Sequence, residues 1–322
     1  LKAMINLGLA PKECVIVEDS HIGRKAAMLS GAHLCGVTNA KDLELSKIQY
    51  TIDKANANSK INQKWQGGKM NVLIPMAGAG SRFQKAGFTF PKPLIEVRGK
   101  PMIQVITENL NIEAKHIFIV QEEHYHKYSL KETLEMISPD CEIVTVNGVT
   151  EGAACTTLLA KSLIDNDEPL LIANSDQFVE WDSNEFMYSM VGDNIDGGIL
   201  TFYSTHPKWS YAKLDENGFV SEVQEKKPIS DKATVGIYYW TKGSDYVKYA
   251  ERMIKNDVRV NNEFYVCPVY NEAINDNKKI KIFDIPEMWG LGTPEDLKYF
   301  LEHQGREDSD PDLWANTPNP NE

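Results

Sequence analysis

No run of about 18 apolar residues occurs in the chain, which leaves no sequence candidate for a membrane-spanning helix. No secretory leader is visible either, although the chain opens on Leu1 rather than Met, as a fragment would. Cysteine is sparse and odd in number: Cys14, Cys35, Cys141, Cys155 and Cys267 are scattered, with no CxxC pair and no Cys/His spacing suited to a metal. A disulfide framework is thereby excluded, and a reducing cytoplasm is the default compartment. Basic residues are in deficit, with a net charge of −12, which argues against a broad nucleic-acid surface. No internal repeat or low-complexity tract is evident. Two common phosphate loops are also missing. No Gly-Lys-Ser/Thr is found where a Walker A loop needs it, and Phe83 takes the third glycine position of a GxGxxG pattern.

What remains is an ordinary globular composition, 42% hydrophobic and 25% charged, over 322 residues, enough for one large domain or two smaller ones. The charge is unevenly distributed. Residues 1–69 hold ten Lys/Arg against six Asp/Glu, while the remainder holds 24 against 40. That shift marks a module boundary near residue 69. The most informative stretch lies just beyond it, residues 71–103. Val72–Met76 reads as a buried strand. A small-residue loop follows, Ala77-Gly78-Ala79-Gly80-Ser81, then Arg82. Such a loop brings backbone N–H groups close to an anion, and an arginine adds a bidentate phosphate contact. The glycines alone favour a plain turn after a core strand. Pro91-Lys92-Pro93-Leu94 then holds one lysine in a stiffened backbone.

The whole string, GxGxRF followed by PKPLIxVxGKPMI, resembles the signature of sugar-1-phosphate-type nucleotidyltransferases, and the resemblance extends over residues 70–303. Strands alternate with helices through this part, which predicts a largely parallel sheet with crossover helices. The family implies an α/β fold of the nucleotide-diphospho-sugar transferase kind, with a Rossmann-like, mixed, mostly parallel sheet and flanking helices. The loop Ala77–Ser81 with Arg82 and Lys92 would then bind the triphosphate. Gly148–Thr157 is another small-residue loop entering a helix, and Gly152 and Ala153 are the residues that would lie against the nucleobase. Thr150 as a helix N-cap is an equally open reading of that segment.

Leu170–Ala173 reads as a strand ending in Asn174-Ser175-Asp176-Gln177, and a carboxylate at a strand's C-terminal end suits an active crevice. By resemblance Asp176 binds the catalytic Mg²⁺. Asp215-Glu216-Asn217-Gly218 reads as a hairpin turn. After the hairpin, Glu225-Lys226 matches the family's glutamate-lysine-proline motif. Glu225 would contact the acceptor and Lys226 the acceptor phosphate, with Gly236 and Glu263 beside them. The charged run also fits a solvated hairpin end. Ser244 reads as a helix N-cap, and Thr293-Pro294 as the start of a last helix. One departure stands out. Many relatives carry an aspartate, a second metal ligand, where this chain has Gly290, so water, substrate phosphate or another carboxylate would have to fill that role.

Residues 1–69 read differently. PKECVIVEDSHIGRKAAMLSGAHLCGV forms a strand, a helix over His21–Leu29 and a second strand, and resembles the final motif of haloacid-dehalogenase-type phosphatases. In that family the acidic pair matching Glu18 and Asp19 helps hold Mg²⁺. No DxD-type nucleophile segment precedes it, so residues 1–45 read as a truncated βαβ tail without phosphatase activity. Residues 46–69 read as a linker and 304–322 as a loose tail. The combined expectation is transfer of a nucleoside monophosphate from CTP, UTP or dTTP to a phosphorylated acceptor. That acceptor is a sugar 1-phosphate or a small phosphorylated alcohol or amino acid, as in surface-polysaccharide precursor synthesis. Mg²⁺ is the cofactor. Neither nucleic acid nor membrane is a partner, and self-association as a homo-oligomer stays open. Two rivals remain: a glycosyltransferase on a related fold, which would typically carry DxD at 174–176, and a catalytically idle nucleotide-binding scaffold.

Overall fold

Short apolar strands separated by helices build both parts of the chain, and the computed structural model describes residues 2–20, 23, 26–27, 30–37, 39–57, 69–78, 80–191 and 195–304. The chain divides into two units, Leu1–Gly67 with Asp182–Asn194, and Gly68–Trp181 with Ile195–Glu322. Ala79, much of the helix read over His21–Leu29 and the tail 305–322 lie outside the described residues.

In the first unit, strands β1 (Val15–Glu18) and β2 (His33–Gly36) pair in parallel, with Val15 opposite His33 and Glu18 opposite Gly36. Lys12 Nζ meets Asp182 at 2.7 Å and Glu185 at 3.1 Å, which ties the excursion 182–194 into this unit. The linker reading of 46–69 needs correction over its first half, because Leu45–Ala57 is a helix. No glycine or proline interrupts it, and Leu45, Ile48 and Ile52 recur at helical spacing. Its polar composition hid that stripe.

The second unit has strands β3 (Asn71–Pro75), β4 (Glu96–Val97), β5 (Lys100–Pro101), β6 (Lys115–Gln121), β7 (Glu142–Val146), β8 (Leu170–Ala173) and β9 (Gln177–Glu180). β10 (Gly197–Tyr203), β11 (Ser210–Leu214), β12 (Val220–Glu225), β13 (Lys232–Trp240), β14 (Ile280–Asp284) and β15 (Glu287–Gly290) follow. Nine of them form one sheet in the order β12-β11-β13-β8-β3-β6-β7, with β10 pairing β13 and β14. β7, β6, β3 and β8 run parallel, so their C-terminal ends open on one edge, where α/β sheets bind ligands. β8 to β13 is antiparallel, which makes the sheet mixed. β3, β6 and β8 are apolar almost throughout because parallel strands are covered on both faces.

Two details position the crevice. β9 pairs with β15 antiparallel, with Gly290 opposite Gln177, so the segment after Asp176 is held by the chain just before Gly292. The Asn109 side chain at the end of helix Met102–Leu110 bonds both backbone groups of Val179, which anchors β9 from its other side. A separate apolar cluster of Phe83, Ile95, Val97, Met102, Trp289, Leu291 and Leu297 packs the signature stretch against β15 and helix Pro294–His303. After β6 the chain forms two helices, Glu122–Lys127 and Leu130–Ile137, separated at Ser129, whose φ of 48° is left-handed. Two local expectations are corrected. Ser244 lies inside its helix, whose N-cap position is taken by Lys242 without a side-chain capping bond. Thr150 is not a cap either, since its hydroxyl bonds the Gly152 carbonyl at 3.0 Å and the Thr156 hydroxyl. By contrast Thr293 does cap its helix, accepting from Asp296 N–H at 3.0 Å with Pro294 at the first position. Among the described residues no helix is long and apolar enough to cross a membrane.

Candidate active site

β3 ends on a loop that turns sharply into helix Ser81–Lys85. Gly80 makes the turn with φ 61°, a left-handed value that favours glycine, and the place of its absent Cβ lies 3.5 Å from Lys92 Cβ. The loop and the Pro91–Leu94 strap therefore touch. Phe83 is buried and anchors the short helix, while Arg82 next to it is exposed and makes no ion pair among the described residues. Gly78 and Ser81 lie open beside it.

Lys92 reaches across 84 residues of sequence to Asp176, with Nζ 2.5 Å from Oδ2. Both side chains keep a fifth to a quarter of their surface exposed, 20% and 25%. The pair is thus shielded but reachable. Asp176 is held from behind, its carbonyl accepting Leu291 N–H at 2.7 Å. A Cβ at Gly292 would lie 2.9 Å from Asp176 Oδ2, so glycine there keeps the carboxylate's surroundings clear. Position 290 has no side chain. A Cβ there would meet the Asp296 carboxylate at 3.6 Å, so the acid bordering that space comes from the last helix.

Gly236 has φ 82°, and its missing Cβ leaves room for Asn174 Nδ2, which would otherwise lie 2.1 Å away, and Gln177 Oε1, at 2.3 Å. Asn174 N–H donates to the Gly236 carbonyl at 3.0 Å. Gly236 therefore admits the turn that carries Asp176. Gly152, with φ 133°, would drive a Cβ to 2.5 Å from the Phe264 backbone. Phe264 N–H bonds the Glu151 carbonyl and Ala154 N–H bonds the Phe264 carbonyl, both at 2.9 Å, while Ala153 stays exposed. Arg259 reinforces this junction, pairing with Glu151 at 2.6 Å and lying 4.1 Å over the Phe264 ring.

Glu225, Lys226, Glu263 and Tyr265 gather at the end of β12. Lys226 sits at φ 56°, and its Nζ donates to the Tyr265 hydroxyl at 2.8 Å. Burial pulls the Lys226 ammonium down, but the Tyr265 hydroxyl with Glu225 and Glu263 leaves it above its ordinary value. Glu225 accepts from the Ser210 hydroxyl, and burial raises its carboxyl above the usual range despite Ser210 and Lys226. The structure thus brings Lys92, Asp176 and the Gly80 loop together, and separately Glu225, Lys226 and Glu263. In the first unit, Glu18 accepts from the Ser20 N–H and hydroxyl, at 2.9 and 2.7 Å, which lowers its carboxyl, and Asp19 follows it. Sequence reasoning missed Gln121, Asn109 and Gly292. A polar residue ending an apolar strand was the signal for Gln121. No local signal existed for the other two.

Residues 71–298 match the family described as Nucleotidyl transferase. Over 244 residues the chain is 25% identical to the bifunctional protein GlmU of Methanocaldococcus jannaschii, covering 72% of this chain and 55% of that protein. It is 23% identical over 239 residues to the mannose-1-phosphate guanylyltransferase catalytic subunit beta of Drosophila pseudoobscura pseudoobscura, covering 72% and 61%. The chain therefore spans less than two thirds of either relative. A nucleoside-diphosphate-sugar pyrophosphorylase from Vibrio cholerae RC9 superposes with a TM-score of 0.62 at 25% identity, covering 72% of this chain and 100% of that one. The expected α/β architecture, a mixed sheet with a parallel centre and flanking helices, is the fold shared with that structure.

Proposed function

Because the chain belongs to the nucleotidyl transferase family, we propose that it transfers a nucleoside monophosphate from an NTP to a phosphorylated acceptor and releases pyrophosphate. The observation that carries this reading is the Lys92–Asp176 pair beside the Gly80 loop at the carboxyl edge of the parallel strands. An acceptor phosphate oxygen attacks the α-phosphorus as the bond to the bridging oxygen breaks and pyrophosphate leaves. The nucleophile is already an anion, so no general base is needed, and the residues must supply positive charge and alignment. Arg82 holds the β- and γ-phosphates, Lys92 meets charge building on the α-phosphate, and Lys226 steers the acceptor phosphate. Gly152 and Ala153 lie against the base, and Glu225, with Gly236 and Glu263 nearby, orients the acceptor.

The residues fit Mg²⁺. Asp176 offers a hard oxygen ligand that already draws a cation, the Lys92 ammonium, to 2.5 Å, and glycine at 292 leaves the approach open. When bound, the ion neutralises triphosphate charge and polarises the α-phosphate. Substrate oxygens and water would complete its shell, and Asp296 borders the place left by the missing acid at 290. We take the donor to be CTP, UTP or dTTP. The acceptor is a sugar 1-phosphate or a small phosphorylated alcohol or amino acid used for surface polysaccharides, and the setting is the cytoplasm. Residues 1–45 read as a phosphatase tail, supported by the parallel β1–β2 pair with Glu18 and Asp19 at its carboxyl end. No phosphomonoesterase activity is expected of them. The experiment is pyrophosphate release with Mg²⁺, each of ATP, CTP, GTP, UTP and dTTP, and a pooled panel of sugar phosphates and phosphorylated small alcohols. Release with one nucleotide and one pool supports the reading. Nucleotide binding without release across a broad panel would favour an idle site instead.

A further inference from the structure

The loops after β3 and β7 leave the sheet on either side of β6, and one side chain at the end of β6 reaches both. In the parallel ladder Pro75 stands opposite Ile119, and Gln121 opposite Val146. One more backbone bond follows on the β3 side, Met76 N–H to the Ile119 carbonyl at 2.9 Å. The Gln121 carboxamide then continues where the backbone ladder stops. Its Nε2 donates to the Ala77 carbonyl and, at 2.9 Å, to the Gly148 carbonyl. An amide nitrogen has two donors, and here each goes to a different loop. The backbone beside these carbonyls is open: nothing lies within 4 Å of where a Cβ would stand at Gly78 or Gly148.

We infer that Gln121 is a positioning residue whose carboxamide sets the spacing between the Ala77–Ser81 loop and the Gly148–Gly152 loop. It thereby matches the site to the length of a nucleoside triphosphate, from phosphates to base. The inference rests on the donor reading above. Gln121 itself touches neither reacting atoms nor acceptor. Its loss acts on donor binding, not on the acceptor cluster at Glu225 and Lys226.

The test compares Gln121→Ala and Gln121→Glu with the wild type. The glutamate keeps the shape but turns acceptors toward two carbonyls. Three quantities are read: NTP affinity by calorimetry without acceptor, the separate KM values for NTP and acceptor, and amide hydrogen exchange in residues 77–81 and 148–152 of the free protein. In the alanine variant, NTP affinity and KM should worsen about tenfold, the scale of one or two lost hydrogen bonds, and further in the glutamate variant. Acceptor KM should stay within about twofold, because the cluster it reports on is bonded elsewhere. Exchange should quicken in both loops together. Unchanged NTP affinity in both variants, or equal losses for donor and acceptor, would overturn the assignment. A wild type that binds no NTP would refute the donor reading. In that event the exchange measurement still judges the clamp, because unaltered protection in the two loops would refute it.

Discussion

Gly292→Ala is the most discriminating single change at the proposed metal carboxylate. The new Cβ would stand 2.9 Å from Asp176 Oδ2, whereas ordinary contact begins at 3.4 Å. Asp176 must therefore retreat by about 0.5 Å, the difference of those two distances. It has little freedom to do so, with Oδ2 held by Lys92 Nζ at 2.5 Å and its carbonyl by Leu291 N–H at 2.7 Å. A misplacement of about 1 Å at a reacting centre costs roughly 10²-fold, so half of that should cost about tenfold in turnover. The methyl group also narrows the approach of a cation, so the Mg²⁺ concentration for half-maximal rate should rise. Gly292 lies outside the left-handed region, so alanine there brings no backbone strain, and thermal stability should change little. The assay is pyrophosphate release at saturating substrates across a Mg²⁺ titration, with the melting temperature as control. Turnover within twofold of wild type at an unchanged Mg²⁺ requirement, alongside an Asp176→Ala variant that is inactive, would refute the reasoning.

Lys92→Ala should lower turnover on the order of 10²-fold or more, the scale of one lost transition-state contact. The same variant should bind Mn²⁺ more tightly in the absence of nucleotide, as read by electron paramagnetic resonance, because the Asp176 carboxylate loses the cation now beside it. Burial raises the Glu225 carboxyl, so kcat/KM for the acceptor should fall on acidification at a higher pH than an ordinary glutamate would give, and Glu225→Gln should lack that limb in a pH–rate profile. His116 is buried against Phe118 and bonded to Ser138, and burial lowers its imidazole from 6.5 to about 4. Between those values the unfolded chain binds a proton that the folded chain does not. Stability from this group is therefore full above about 6.5 and is lost as pH falls toward 4, by at most ~3 kcal/mol. Urea midpoints at neutral and mildly acidic pH should differ accordingly, and His116→Phe should remove most of the difference.

Local chemistry accounts for what could be read without coordinates. Strand Leu170–Ala173 was legible to the residue because its apolar run is set by neighbours a few positions away. The Asp215–Gly218 turn and the Thr293-Pro294 helix start were legible for the same reason, since side chain and backbone bond within four residues. The helix Leu45–Ala57 was missed because its apolar stripe is thin among polar residues.

The amino-acid sequence by itself thus determined the order of strands and helices, the glycine turns, and the residue types from which a phosphate-handling site is built. Only the tertiary structure decided which of them meet. Lys92 pairs with Asp176, Gly292 makes room for that carboxylate, β9 finds β15, and Gln121 joins two loops. These contacts link segments far apart in the chain. They are selected by the packing of a whole sheet rather than by any residue's own preference, so no local pattern records them.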